Sequence, residues 1–479
     1  MKKNIFAGIL SLALAAGSLA GCAISTTSTP ESSAAGTGGE KQESTASADE
    51  KKEAADVSGR EEITLWFFGA EPYAQEALKH TLADKYNASQ DKYSLSIEFR
   101  ASVDSDMSTA LAANQGPDIV YGSGPSFVMP LVEAGKLAPM DDYAKQYGWE
   151  ERLMTPIYES GLVHGSLYSV TNGVNTLGVF YNKKVLADNG WEVPKTLEEL
   201  ESIMDAAMEK GMYACVGGNK GWKPVNENYA SLALTHIAGP QAVYQCLTGE
   251  QSWNNPDMTA AIEMTKEWWD KGYLAGDDYV NLNYSESLQL LADERSPFFI
   301  GPSIGFQWAA SFFTGDIEEN LGFVPFPATD KVPNTTYTLG SACTLSINAN
   351  VSQEHKDEAA KIIDMILTPE FMQEMTTAWP GYWGTPLKDL SSVDTSGMGY
   401  LSKTYTEVLN DIAEAVNNGN FGYFDYTFFP PATQQNIVNI EDVWYDTISV
   451  SDYLDKIDKD FKEEAEKDLV PPIPVPSTN

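Results

Sequence analysis

Apolar and polar positions alternate over 63–68, with Ile63, Leu65 and Phe67 on one side and Thr64, Trp66 and Phe68 on the other. This period of two predicts a strand. Gly69 and Pro72 bound a turn, and a helical run follows through Tyr86. Leu95, Ile97 and Phe99 repeat the alternation, 107–114 reads as helix, and Gly116, Pro117 and Asp118 turn the chain into the apolar run 119–121. The order β, α, β, α, β predicts an α/β unit with a mostly parallel sheet.

Strand-like text returns at 168–171, is interrupted by Asn172 and Gly173, and resumes as the apolar run 177–181. From Pro194 the pattern is helical, and Thr196 with Glu199 has the spacing of a capping box. Further helices follow Asp257, through Trp268 and Trp269 to a stop at Gly272, and Gln353, with apolar residues at Ala359, Ile362, Ile363, Ile366 and Leu367. Between them lie β-rich stretches at 296–300, 322–325 and 344–347. No internal repeat of fixed period interrupts the alternation. A body running from Ile63 to the end of the chain exceeds the size at which one core stops growing, so two α/β lobes are expected.

The start of the chain is of a different kind. Lys2 and Lys3 precede an uninterrupted run of apolar and small residues over 5–16, and Leu19, Ala20, Gly21 and Cys22 close it. That is the layout of an export signal, shorter than a membrane span. The closing tetrad resembles a bacterial lipobox, which implies cleavage before Cys22 and a lipid on its thiol. Residues 24–62 hold no aromatic residue and no leucine, a composition that cannot offset its ordering entropy. They read as a disordered tether, of a length suited to a Gram-positive cell surface.

Lysine and arginine number 31 against 68 acidic residues, a formal net charge of −37 with no basic stripe. Nucleic acid and anionic membrane surfaces are thereby disfavoured as partners, and a neutral ligand is favoured. With Cys22 assigned to lipid, Cys215, Cys246 and Cys343 remain, an odd number without C-x-x-C spacing. This excludes a disulfide scaffold and a four-cysteine zinc site, and three buried thiols are expected, with a Cys215–Cys246 pair as the alternative. His80, His164, His236 and His355 stand singly, without metal-ligand spacing, and no phosphate-cradling glycine loop is present. Neither a metal nor a cofactor is expected.

Gly301, Pro302, Ser303, Ile304 and Gly305 match a nucleophile elbow, and only His355 follows it. In a chain with 37 glycines so loose a pattern arises by chance, which makes a Ser303 hydrolase the minor alternative. Asp455, Asp458 and Asp460 lack the turn glycine of a calcium loop and read as a solvated helix face. Aromatic residues at turn-like positions are the stronger signal: Phe68 near Glu71 and Tyr73, Tyr121, Trp222, Phe306 with Trp308, Trp379, and Tyr382 with Trp383. Aromatic faces suit the C–H faces of sugar rings, with neighbouring polar groups taking the hydroxyls. Trp66, Trp268 and Trp269, inside predicted elements, are expected to pack.

Taken in order, several segments resemble the family 1 extracellular solute-binding lipoproteins of carbohydrate ABC importers, relatives of the maltose-binding protein. They are the opening strand 63–68, the run Gly116, Pro117, Asp118, Ile119, Val120, the run 134–140, Gly165 to Tyr168, Tyr181 with Asn182, Lys183 and Lys184, and 194–200. The closing text, 443–461 followed by 470–473, is similar to one branch of the family. The resemblance implies a two-lobe periplasmic-binding-protein-like (Venus flytrap) fold with discontinuous lobes and a hinge. Its expected parts are a signal peptide at 1–21, a tether at 22–62, lobe 1 at 63–170 plus 330–380, and lobe 2 at 171–329 plus 381–479.

The same resemblance implies sugar contacts at Phe68, Glu71, Ser123, Trp222, Phe306, Trp308, Gly340, Ser341, Tyr382 and Trp383, lipidation at Cys22, and no catalytic residue. Where several relatives carry an aromatic or acidic side chain after the Pro117–Asp118 turn and its strand, this chain has Gly122, Ser123 and Gly124. The implied function is capture of a neutral oligosaccharide by a monomeric receptor, lipid-anchored on the outer face of the cell membrane, that delivers it to an ABC permease. A receptor for a non-sugar solute, or an adhesion module without a closing cleft, is the other non-enzymatic alternative.

Overall fold

The computed structural model describes residues 56–221 and 223–477. The signal segment, Cys22, most of the expected tether, and Trp222 lie outside them.

The strands in chain order are β1 (Glu61–Phe68), β2 (Tyr93–Arg100), β3 (Ile119–Gly122), β4 (Leu137–Ala138), β5 (Leu162–Val163), β6 (Ser166–Leu167) and β7 (Val170–Thr171). They continue as β8 (Val174–Asn182), β9 (Phe298–Pro302), β10 (Leu321–Pro325), β11 (Tyr337–Ser341), β12 (Thr344–Asn348) and β13 (Phe421–Tyr423). β1 starts inside the segment expected to be tether, because Arg60 fixes the chain by donating to the carbonyls of Asn87 and Gln90.

Two main sheets result. The first runs β2-β1-β3-β12-β4, with β7 also on β12. β1 is parallel to β2 over its whole length and parallel to β3. β12 runs antiparallel to β3, β4 and β7, so the sheet is less uniformly parallel than the opening pattern suggests. The second sheet is centred on β8. β9 takes one edge of it, while β11 and β10 share the other end to end, pairing with the stretches that begin at Val174 and Gly178 respectively. β13 adds in parallel outside β11. Strands on both edges and helices above explain why β8 reads as an apolar run without alternation. The sequence places 330–341 with the first lobe, yet β11 hydrogen-bonds into the second sheet, and the return to the first sheet comes only at β12.

The chain passes between the sheets at 172–173, at 342–343 and again near 382–385, and these crossings run side by side. Ala342 N donates to Gly173 O at 2.7 Å, Cys343 N to Asn172 Oδ1 at 2.9 Å, and Val174 N to Gly384 O at 2.6 Å. Gly173 suits the close approach here, since a Cβ on it would lie 3.0 Å from the Tyr382 carbonyl and 3.2 Å from Gly384 N, tight enough that the neighbouring segment would have to shift. The polar interruption seen in the sequence at Asn172 and Gly173 is thus the strut that joins the sheets.

Local capping follows the sequence closely, with one change. Thr196 Oγ1 accepts Glu199 N at 3.3 Å, but the Glu199 carboxylate takes the amide of Lys195 instead of Thr196, which leaves the box half closed. Cys215 and Cys246 are buried free thiols, and Cys343 is free and only partly buried.

Candidate functional site

β1 ends at Phe68, beside the C-terminal ends of β2 and β3, and Gly69 and Glu71 lead into the helix Pro72–Leu78. Opposite them the chain leaves β9 through a tight turn at Ser303–Gly305 into the short helix Phe306–Ala309. Between these walls lies a cleft of about 520 Å³, within the usual range for ligand pockets. Phe68, Glu71, Tyr73 and Tyr121 line it from the first sheet; Ile304, Gln307, Trp308 and Ser311 line it from the second, and Trp379 and Tyr382 close it beside the crossing. Another cavity, of about 350 Å³, is lined from 238–245, 331–336 and 419–421 with Asp257 and Ser477, with no first-sheet strand in its wall, so movement of one sheet against the other cannot shut it.

The cleft floor is aromatic. Trp379 and Tyr382 stack with centroids 4.5 Å apart at 8°, and Phe68 leans on both, at 6.0 and 5.2 Å. Trp308 is steadied by Tyr284 at 4.9 Å and keeps part of its surface open. Among the described residues Glu71 is the one carboxylate of the lining, and no lysine, arginine or histidine belongs to it. At the crossing, Tyr121 Oη lies 2.8 Å from Cys343 Sγ and 3.2 Å from Tyr382 Oη. Burial drives both phenols well above their ordinary range and raises the thiol as well, so this cluster is neutral near pH 7. With Trp379, Tyr382 and Tyr121 themselves buried, the site offers the more open rings of Phe68, Tyr73 and Trp308, the Ser311 hydroxyl, the Gln307 amide and the Glu71 carboxylate, and among the described residues of the lining nothing that would hold an anion.

Of the residues singled out in the sequence, the structure brings Phe68, Glu71, Trp308 and Tyr382 together around the cleft. Phe306 is not among the lining residues. It is buried against Phe180, Phe323 and Tyr405, on the opposite side of its helical turn from Gln307 and Trp308. Trp383 is fully buried, stacked on Phe67 at 5.7 Å and edge-on to Phe371, where the chain leaves the turn at Gly381 and Tyr382. Gly340 and Ser341 are buried within β11, and Thr427 Oγ1 accepts the Ser341 amide at 3.0 Å. Ser123 is exposed and outside the lining. The absence of a larger side chain at Gly122 has a steric cause: a Cβ there would lie 2.6 Å from the Phe127 ring and 2.8 Å from Thr344 Oγ1.

Tyr73, Tyr121 and Trp379, singled out only as aromatic residues at turn-like positions, line the cleft as well, and Gln307 and Ser311 were missed. A signal for part of this set exists: 304, 307, 308 and 311 fall at i, i+3, i+4 and i+7, one face of a helix. The elbow serine fails as a nucleophile. Ser303 is buried, donates to Asn175 Oδ1 at 3.2 Å and accepts Thr176 N at 3.3 Å. His355 belongs to the first sheet's side, between Asp118 Oδ1 at 2.6 Å and Glu61 Oε1 at 2.9 Å.

The architecture matches that of solved sugar receptors. A chitin oligosaccharide binding protein superposes with a TM-score of 0.68 at 19% identity, covering 84% of this chain and 98% of its own. The sugar-binding protein MalE from Xanthomonas citri gives 0.66 at 17%, covering 85% and 98%. At the sequence level, the maltotriose-binding protein of Pyrococcus abyssi is 24% identical over 306 residues, 62% of this chain and 60% of the relative. The multiple sugar-binding protein of Streptococcus mutans is 24% identical over 221 residues, 44% of this chain and 50% of the relative. The matched regions thus span between half and three fifths of these two relatives. The family model described as bacterial extracellular solute-binding protein matches residues 81–373, which include the helices over Tyr86 and both crossings at 172–173 and 342–343. With its two-lobe periplasmic-binding-protein-like fold, this chain belongs to the bacterial extracellular solute-binding protein family.

Proposed function

We propose that this protein captures a neutral carbohydrate, an oligosaccharide, in the cleft between its two sheets and delivers it to the permease of an ABC importer. The observation that carries this reading is the lining itself: the open or partly open rings of Phe68, Tyr73 and Trp308, backed by the buried Trp379 and Tyr382, with Glu71, Gln307 and Ser311 and, among the described residues, no cationic side chain. Sugar rings stack on aromatic faces while their hydroxyls meet the polar groups between. The sugar-receptor names of the relatives support the same class. A micromolar affinity, about −8 kcal/mol, is within reach of two stacked rings and several hydrogen bonds.

Since the walls come from different sheets joined by short struts, a sugar touching both favours the closed arrangement, by no more than its differential affinity for the two states. The lobes in this reading are those expected from the sequence, with the second return placed at β12. The protein acts as a receptor and not an enzyme, as a monomer, held at the outer face of the cell membrane through a lipid on Cys22. Without lipid or tether, the chain from Ser58 onward can be screened by thermal shift against mono- and oligosaccharides, with product analysis of every hit. A sugar that raises the midpoint and is recovered intact supports the reading. Cleaved product, or stabilisation by peptides or other solutes alone, refutes it.

A further inference from the structure

The helix Pro256–Asp270 nears its end at two tryptophans with different fates. Trp268 is buried, as expected of a residue inside a helix, whereas Trp269 keeps part of its ring open. Trp444 stacks on Trp269 at 5.7 Å and 9°, and Tyr445 stands edge-on to it at 5.2 Å and 83°. Trp269 and Tyr445 thus form a right-angled corner in the wall of a depression of about 490 Å³, the rest of which is built by the turn 272–280. Few large apolar side chains are exposed among the described residues, and two of them, Val280 at 57% and Tyr445 at 48%, flank this depression. It shares no lining residue with the cleft.

The turn is held from behind. Ala275 N donates to Cys215 O at 3.1 Å, Asn219 N to Tyr279 O at 2.8 Å, and Tyr213 Oη to Asp278 Oδ2 at 2.5 Å. Tyr279 is buried, with its hydroxyl taken by Asn219 and Asn226. The charged members of the lining are Asp270 and Asp277. Asp270 pairs with Lys266 at 2.6 Å, whereas Asp277 is exposed and has no hydrogen-bond or ion-pair partner among the described residues. The lysines of the surrounding elements are engaged outside the depression: Lys266 also reaches Asp446, Lys271 pairs with Glu201 and Glu267, and Lys223 with Glu441. None of them lines it.

Ring faces attract cations through their quadrupole, more strongly as the cation sheds its water. An open carboxylate beside them, in a chain of formal net charge −37, adds attraction of the same sign. An alkylated ammonium ion, apolar at its surface and positive as a whole, matches both the corner and the carboxylate. A sugar would meet two acids there and no side-chain amide or aliphatic hydroxyl. We propose that the corner of Trp269 and Tyr445, beside Asp277, is a second binding site of this protein, for a small alkylated ammonium cation, free or as the head group of a larger molecule. It is separate from the cleft and does not rest on the sugar reading.

The test is calorimetric titration of the whole protein with choline and with its neutral carbon isostere, dimethylbutanol. Saturable choline binding is expected, with the isostere weaker by about fivefold or more, as for a cation on open ring faces. Tyr445→Ala should weaken choline binding by about fivefold or more, Tyr445→Phe should keep it within about twofold, and Asp277→Asn should weaken it about threefold. Both positions are exposed, and the ligand-free midpoint of thermal unfolding checks that the variants fold; the isostere comparison on wild type needs no variant. Glycerophosphocholine bound as tightly as choline assigns a head group, and weaker binding assigns the free cation; either upholds the site. No choline binding up to about 10 mM, equal binding of the isostere, or choline affinity unchanged in Tyr445→Ala overturns the proposal. So does a sugar whose affinity falls in Tyr445→Ala, which would make the corner part of a saccharide site.

Discussion

Two tryptophans that look alike in the sequence should behave in opposite ways when truncated. Trp308 lies in the cleft wall with part of its ring open, whereas Trp383 is fully buried between Phe67 and Phe371. An aromatic side chain buries about 150–250 Å² in all, so one face stacked on a sugar contributes about 100 Å². At about 25 cal/mol per Å² that is worth about 2.5 kcal/mol, or roughly 70-fold in dissociation constant. Trp308→Ala should therefore weaken sugar binding by one to two orders of magnitude. Its cost to stability should be smaller, since the Trp308 ring packs within the protein on Tyr284 and leaves its other side to the cleft. Trp383→Ala removes a core side chain and should cost about 3–5 kcal/mol of stability. Calorimetric titration and denaturant unfolding of both variants provide the two readouts. A Trp308→Ala protein that binds sugar within twofold of wild type would refute the placement of the site, and a Trp383→Ala protein of unchanged stability would refute the burial argument.

Ser303→Ala should leave no hydrolytic activity to lose and should destabilise by about 1 kcal/mol, because the hydroxyl bridges Asn175 and the Thr176 amide; turnover abolished by this change would contradict the receptor reading. Burial pushes the Asp425 carboxyl up to about 7, next to the buried Glu227. A carboxyl whose folded pKa is raised contributes stability that is full below its unfolded pKa near 3.8 and lost as pH rises toward 7. Asp425→Asn should accordingly gain on wild type between pH 4 and pH 8 in thermal unfolding; parallel pH profiles would count against it. Unfolded under non-reducing conditions, the chain from Ala54 onward should release three titratable thiols without reductant, and one thiol would instead indicate a Cys215–Cys246 bond.

The opening α/β order and the interruption at Asn172 and Gly173 were readable because each has a local cause: an alternation of period two, and a strut that suits a glycine. The antiparallel entry of β12 and the second-sheet pairing of β11 were not readable. Both depend on partners more than 150 residues away, β3 and β8, and leave no periodic trace in their own five residues. Among the residues that line the cleft, Phe68, Glu71 and Tyr382 were legible because they sit at a strand end and a crossing. Phe306 and Trp383 fall outside the lining by one residue of rotation, since an aromatic pair in a turn does not announce which ring faces inward.

The central claim is that one ligand is held by both walls of the cleft, and hydrogen exchange with and without the bound sugar measures this most directly. Slowed exchange is predicted together at 68–74, at 304–311 and at the crossing around 342–343. Protection confined to one wall, or appearing instead at 238–245 around the separate cavity, would contradict it.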